Sequence, residues 1–328
     1  MNVSLIVTVK NEGDAIRPLL DSLLDQTVLP NEIIITDGGS TDHTLDVLQE
    51  YADWLPLKVY ACPGANISQG RNEAIARAAG PIIAVTDAGV LLSPVWVEEI
   101  TAPFATPCPD TAVAPQKQIN VVSGWFESDP FTDFEVVMGA TVLPERQDID
   151  PATFLPSSRS VAFRKSAWES VGGYPEWLDY SEDLVFDMAL REQCGSFVFA
   201  PYAVAYFRPR GSMRAFIKQY YLYARGDGKA NLWWERHLIR YATYLVALPF
   251  IVRLIWHERR VGWLLLFLGT AVYTRRPAQR LWPLTKGWTP VNRVRAFGLI
   301  PLIRLMGDIA KMLGYPVGLW WRWQNRPK

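Results

Sequence analysis

The first ninety residues alternate two kinds of apolar pattern, and that alternation limits the folds open to the chain. Val3–Val9 is a short β-branched run closed by "KNEGD", which predicts a buried strand. Between Ala15 and Gln26, apolar residues at 16, 19, 20, 23 and 24 fall on one helical face. "NEIIITDGGSTDHT" repeats the unit, with a strand over Glu32–Thr36, a glycine loop and a helix from Asp42 to Trp54. Lys58–Ala61 predicts a third strand, Ser68–Ala79 a helix with a basic, Ala-rich face, and Pro81–Thr86 a fourth strand. Strands joined by helices at this spacing predict an α/β fold with a mainly parallel central sheet and helices on both faces. Ligands of such sheets collect in loops beyond the carboxyl ends of the strands. Those loops are "TVKNEG", "TDGGSTD" and "TDAGV".

Each loop has two readings. Asp37 is either a carboxylate accepting from a base or ribose, with Gly38 and Gly39 admitting a close ligand, or an Asx-turn residue before a cap at Ser40-Thr41-Asp42. Arg71, near a helix start, either helps to hold a diphosphate or is a solvated helix-face arginine. Asp87 is either a turn residue closing a strand or part of a nucleotide and metal site. No GxGxxG follows the first strand, which argues against a dinucleotide. Farther on stand "FLPSSRSVAFRKSAW" (154–168) and "VGGYPEWLDYSEDLVFDMALRE" (171–192), the latter with a helix beginning at Glu182. Its Glu182-Asp183 pair suits either a helix dipole or a general base above a cavity lined by Gly172, Gly173, Tyr174 and Trp177.

Taken together and in this order, "SLIVTVKNEG", "NEIIITDGGSTDHT", "ISQGRNEAIARAAGPIIAVTDAG", "GGYPEWLDYSED" and "FIKQYYLYARGDG" resemble the inverting family 2 glycosyltransferases of GT-A fold. The resemblance covers residues 1–230. It implies that Thr8, Val9, Asn11, Glu12, Asp37 and Gly38 bind the nucleobase and ribose of a nucleotide-sugar donor, with Arg71 near the nucleotide. It implies that Asp87 is the first aspartate of a D-x-D motif and the metal ligand. Asp183 would be the catalytic base, with Glu182 on the acceptor, and Arg159, Gly173, Tyr174 and Trp177 at the donor and acceptor sugars. "QYYLYARG" nominates Gln219 and Arg225 for a segment closing over the donor.

The chain departs from the pattern at Asp87-Ala88-Gly89, where the second carboxylate is missing. The expectation is a weakly held Mg2+ or Mn2+ on Asp87, with arginines such as Arg208 and Arg210 of "YFRPRGS" assisting the leaving group.

The net charge of zero hides a division. Residues 1–200 carry 11 Lys+Arg against 29 Asp+Glu, and residues 201–328 carry 22 against 4, with nine of the 14 tryptophans. The apolar segments Tyr241–Trp256 and Val261–Tyr273 would span roughly 24 and 20 Å as helices, short of a hydrocarbon core of about 30 Å. With the amphipathic 297–323, they predict a basic, Trp-rich helical region over 231–328 that lies in or dips into an anionic leaflet. No nucleic-acid motif accompanies the basic charge, so nucleic acid is not expected as a partner. The widely spaced Cys62, Cys108 and Cys194 suggest neither zinc nor a disulfide framework. The N-terminus has no basic n-region, so the catalytic domain is expected to face the cytoplasm. An anchored enzyme suits a lipid-linked saccharide acceptor in surface or exopolysaccharide biosynthesis. The alternatives are a processive polysaccharide synthase and a catalytically silent sugar-nucleotide-binding scaffold.

Overall fold

The computed structural model describes residues 1–105 and 118–325. They form two compact units: Met1–Asp129 with Arg146–Phe207, and Pro130–Glu145 with Arg208–Lys328. The expected boundary at residue 230 falls inside the second unit.

In chain order the elements of the first unit begin with β1 (Val3–Val9), α1 (Arg17–Leu24), β2 (Glu32–Asp37), α2 (Thr44–Glu50) and β3 (Leu57–Ala61). α3 (Ile67–Arg77), β4 (Ile82–Val85), β5 (Val90–Leu92), α4 (Trp96–Ala105) and β6 (Val121–Ser128) follow. After α5 (Asp133–Val142), which belongs to the second unit, come β7 (Val161–Arg164), α6 (Lys165–Val171), α7 (Glu182–Cys194) and β8 (Val198–Phe207). The eight strands make one sheet in the order β3-β2-β1-β4-β7-β6-β8-β5.

β3, β2, β1 and β4 are mutually parallel, as their alternation with helices requires. The other half is mixed, within a sheet that is mainly parallel as expected. β7 runs antiparallel to both β4 and β6, β6 is parallel to β8, and β5 is antiparallel to β8. β5 follows β4 with no helix between them, so the regular strand–helix repeat that pairs β1 to β4 in parallel is broken there.

Pleating sends alternate side chains to two cores. Leu5, Val7, Val9, Ile33 and Ile35 meet Leu19, Leu20, Val47 and Trp96 on one face. Ile6, Ile34, Ile83 and Val85 meet Ala74, Ile75, Ala167 and Phe186 on the other. Burial on both faces is why these strands read as unbroken apolar runs. Gly70 brings α3 down onto the sheet, since a Cβ there would stand 3.0 Å from Thr8 Cγ2 and 3.2 Å from Thr36 Oγ1.

The second unit is helical: α5, α8 (Met213–Ala230), α9 (Trp234–Ala242), a π-turn over Thr243–Ala247, α10 (Leu248–His257), α11 (Arg259–Leu284) and α12 (Pro290–Asn325). Its core contains Val137, Met138, Phe216, Leu281, Ile300 and Ile303. α8 and α12 touch backbone to backbone through Gly314 and Gly318. A Cβ at Gly318 would stand 2.1 Å from the Arg225 carbonyl oxygen, and one at Gly314 2.2 Å from that of Tyr221. Small residues four apart permit this approach. Inside the unit, Asp308 accepts from Arg240 Nε at 2.7 Å, from Tyr244 Oη at 3.0 Å and from Tyr273 Oη.

The two short apolar segments expected from sequence are parts of longer helices. α9 to α10 form one continuous helix, Trp234–His257, whose most apolar 18-residue stretch has mean hydropathy 1.6 and is not buried. Among the described residues it is the one helix long and apolar enough to cross a membrane. The flanking Arg, Glu and His residues are ordinary helix formers, so the helix runs past the apolar run that the sequence displays.

Candidate functional site

Three loops leave the carboxyl ends of β1, β2 and β4, and two of them are stitched together. Asn11, held at φ +55°, donates its N–H to Ser40 Oγ at 2.8 Å and accepts from Thr41 N–H at 2.8 Å. The N–H groups of Glu12 and Gly13 both donate to Thr44 Oγ1 at 2.9 Å, and Gly38 N–H donates to the Val9 carbonyl at 2.9 Å. Asp37 is 3% exposed and accepts from Ser40 Oγ at 2.5 Å and Ser40 N–H at 3.0 Å. That is the Asx-turn reading, and it occupies the Asp37 carboxylate within its own loop. Thr8 lies partly exposed above Gly70 and Val9 is buried.

Arg71 is the hub. It is 2% exposed, and its Nη1 donates to Glu182 Oε1 at 2.7 Å while its Nη2 donates to Asp87 Oδ1 at 2.8 Å. Burial works against its charge, but Asp87 and Glu182 more than offset that and hold it firmly ionised. Arg159 Nε stands 3.6 Å from the other Asp87 oxygen, its guanidinium 4.7 Å from the Phe207 ring centroid. A hydrogen bond from Thr86 Oγ1 to the Arg159 carbonyl, 2.9 Å, ties the two strand ends together. Asp87, Arg159 and Glu182 are thus gathered round a single buried cation, where sequence spacing had offered only separate loops.

Glu182 and Asp183 open α7 after Ser181, a non-glycine residue at φ +62°. Such a backbone is strained and concentrates at functional sites. Burial and the Asp183 charge push the Glu182 carboxyl up to about 7, against the pull of Arg71. Asp183 is partly exposed; burial raises its pKa, opposed by Arg71, by its bond from the Leu184 N–H at 2.9 Å and by Arg159. One turn on, Asp187 is 2% exposed, and burial raises its pKa well above the ordinary aspartate value.

Tyr174 does not offer a ring face to a sugar. It is 1% exposed, stacks on Phe186 with centroids 4.0 Å apart, and lies beneath Arg71. An aromatic between glycine and proline reads equally well as core or platform, and burial decides for core. Gly173, at φ +81°, serves close packing as well: a Cβ there would stand 2.7 Å from Asn72 Oδ1. Asn72, which the sequence reading passed over, clasps this loop by accepting from Tyr174 N–H at 2.8 Å and Trp168 Nε1 at 3.0 Å. Its adjacency to Arg71 in "GRNEA" was the available signal. Trp177 remains partly exposed.

Gln219 and Arg225 lie on α8 in the second unit, where Gln219 Nε2 donates to Tyr223 Oη at 2.6 Å. Arg208 pairs there with buried Glu135 at 2.8 Å, and Arg210 donates to Gln219 Oε1 at 3.3 Å. Cys62 and Cys194 are free thiols, and Cys108 lies outside the described residues.

The expected cation does not fit the donor set at Asp87. Both carboxylate oxygens face guanidinium nitrogens, at 2.8 and 3.6 Å. Among the described residues, no three His, Cys, Asp or Glu side chains come together as a metal site. A hard cation there would have one carboxylate oxygen already shared with a guanidinium, and the rest of its oxygen ligands would come from phosphate and water.

Across solved structures, the chain is similar to mannosyltransferase PcManGT from Pyrobaculum calidifontis in complex with GDP-Man and Mn2+. The TM-score is 0.55 at 18% identity, covering 100% of this chain and 88% of that one. It is also similar to S. aureus TarS 1-349 in complex with UDP-GlcNAc, with a TM-score of 0.51 at 18% identity, covering 99% of this chain and 92% of that one. At this identity the likeness shows the fold, a GT-A-like α/β sheet. Residues 4–170, half of the chain, match Glycosyl transferase family 2, and the protein belongs to that family.

Among curated relatives, the chain is 32% identical over 115 residues to validoxylamine A glucosyltransferase of Streptomyces hygroscopicus subsp. limoneus, 34% of this chain and 25% of that protein. It is 24% identical over 213 residues to O-antigen chain rhamnosyltransferase RfbN of Salmonella typhimurium, 63% of this chain and 64% of that protein. The chain therefore spans a quarter of the first relative and just under two thirds of the second.

Proposed function

We propose that the protein is an inverting glycosyltransferase that moves a sugar from a nucleotide-sugar donor to a saccharide hydroxyl, with Asp183 as general base. The observation that carries this reading is a partly exposed Asp183 at the first turn of α7, beside the Arg71-centred cluster and with a pKa raised by burial. A sugar hydroxyl is a poor nucleophile, and a carboxylate of raised basicity takes its proton more effectively. The hydroxyl oxygen bonds to the anomeric carbon as the bond to the diphosphate oxygen breaks on the opposite face, and Asp183 receives the proton. Glu182, anchored by Arg71, lies at the acceptor side of this arrangement. The loops around Asn11, Glu12 and Asp37 take the nucleobase and ribose, with polar atoms beyond those already used in the turns.

The neighbouring mannosyltransferase was solved with GDP-Man and Mn2+, and TarS with UDP-GlcNAc, which supports a nucleotide-sugar donor. RfbN acts in O-antigen chain formation, which supports a surface-polysaccharide role. The domain division proposed is a catalytic region over 1–230 and a basic helical region over 231–328 that associates with the cytoplasmic leaflet. Phe250, Trp256, Phe267 and Val272 are all exposed on the α10–α11 pair, which supports contact with lipid. Such contact supports a lipid-linked saccharide acceptor, whose tail would stay in the bilayer while its hydroxyl meets Asp183.

The test is donor turnover with purified protein across a panel of sugar nucleotides, wild type against Asp183→Asn. Turnover by the wild type and loss in the variant support the reading. Equal turnover removes Asp183 from the role, and no turnover with retained nucleotide binding favours the scaffold alternative.

A further inference from the structure

Resting on the sugar-nucleotide reading, we infer that the donor diphosphate is met by the guanidinium of Arg159, in place of a divalent cation held on Asp87. The placement follows from strand register. β4 and β7 pair antiparallel with Val85 opposite Val161. Two residues beyond Val85 is Asp87, and two before Val161 is Arg159, so the same register carried onward sets the two opposite each other. The Thr86 Oγ1 bond to the Arg159 carbonyl holds that extension at 2.9 Å.

The side chain is held from three directions. Its Nε is 3.6 Å from Asp87 Oδ2, its Nη1 donates to Ser157 Oγ at 3.1 Å, and its guanidinium lies 4.7 Å from the Phe207 ring centroid. It is nonetheless 24% exposed, whereas the Arg71 side chain is 3% exposed. Of the two cations in the cluster, Arg159 is therefore the one that solvent and an arriving anion reach, beside an Asp87 side chain that is 27% exposed.

The competing arrangement has a cation on Asp87. With Oδ1 taken by Arg71, that cation has Oδ2 to bind, and it would crowd the Arg159 guanidinium that faces this oxygen at 3.6 Å. Two positive groups brought to one oxygen repel each other. A diphosphate brings no such repulsion. It exchanges a 3.6 Å contact at a partly exposed arginine for a forked, charge-assisted one, and Asp87 keeps Arg71. The same guanidinium then faces the charge that builds on the leaving diphosphate as the glycosidic bond breaks. Gly89, where a second carboxylate would complete a D-x-D pair, agrees with a site that has moved its positive charge from an ion to a side chain.

The test is calorimetric binding of UDP, GDP, dTDP, CDP and ADP to the full chain, in EDTA and with Mn2+. Direct titration of Mn2+ accompanies it, for wild type, Arg159→Ala and Arg159→Lys. The expected result is one nucleotide binding in EDTA with affinity changed less than about twofold by Mn2+. A loss of about tenfold or more in Arg159→Ala and partial recovery in Arg159→Lys should accompany it. Thermal unfolding of each sample checks that the variants are folded, and the wild-type comparison stands without them. Binding only in the presence of Mn2+, or equal affinity in Arg159→Ala and wild type, overturns the inference. Failure of all five nucleotides in both conditions overturns the nucleotide site itself, and the inference with it.

Discussion

Arg71 Nη1 donates to Glu182 Oε1 at 2.7 Å, joining the second turn of α3 to the first residue of α7 across 111 residues. With Asp87 on its other nitrogen, the guanidinium is the shared centre of three segments. Replacing it with Met leaves two acidic groups without their cation. Arg71→Met should therefore destabilise the chain by about 3–5 kcal/mol. Urea unfolding followed by tryptophan fluorescence measures this, and a shift within error would remove Arg71 from its structural role.

Asp187 supplies a pH dependence of definite sign. Burial, then the Asp183 charge, holds its folded pKa well above the ordinary 3.8, so the folded protein retains a proton that the unfolded chain releases. Stability from this group is full below about 3.8 and is lost as pH rises, by about 1.4 kcal/mol per unit until the folded pKa is reached. Asp187→Asn removes that slope and should raise the unfolding midpoint at pH 7 relative to wild type. A parallel pair of stability–pH curves would count against it.

Asp183→Asn should lower transfer by about 10²–10⁴-fold, the usual range for loss of a positioned base. Nucleotide affinity should stay within a small factor of wild type. In the wild type the rate should rise with pH over an acid limb displaced upward from the ordinary aspartate range, because burial raises the Asp183 pKa. Glu182 and Asp183 titrate together, so the limb reports the pair. A pH-independent rate would contradict the assignment.

In the helical unit, Gly318 has no room for a side chain, with the Arg225 carbonyl 2.1 Å from its virtual Cβ. Gly318→Val must push α8 from α12, at a cost of about 1–3 kcal/mol for overpacking or more. Gly269, with nothing within 4 Å, should tolerate Ala and serves as the control. Thermal unfolding of both variants in the same detergent compares them.

Leaflet contact predicts that Trp256→Ser combined with Phe267→Ser weakens co-sedimentation with anionic phosphatidylglycerol vesicles, with raised salt weakening it further. Each ring lost removes roughly 2 kcal/mol of apolar transfer. Wild type remaining in the supernatant at low salt would eliminate the membrane assignment.

The parallel half of the sheet was legible because Leu5, Ile6 and Val7, like Ile33, Ile34 and Ile35, must be apolar on both faces of a doubly covered strand. Helix starts at Glu182 and near Ile67 were legible from local pattern for the same reason. Tyr174 was not, since its neighbours in sequence say nothing of the Phe186 ring beneath it. Nor was the length of the Trp234–His257 helix, which continues through polar residues that mark no boundary.

By itself, the amino-acid order determined the alternation of strand and helix, the three polar loops on one sheet edge, and the resemblance that names the family. Those are properties of short windows, where periodicity and turn chemistry act within a few residues. Local turn chemistry already closes Asp37 onto Ser40, whereas tertiary structure alone decided that Arg71 bridges Asp87 and Glu182, and that Arg159 stands opposite Asp87. Each of the last two depends on the register or docking of segments more than seventy residues apart. A shift of one residue in β7 would send Arg159 to the other face of the sheet.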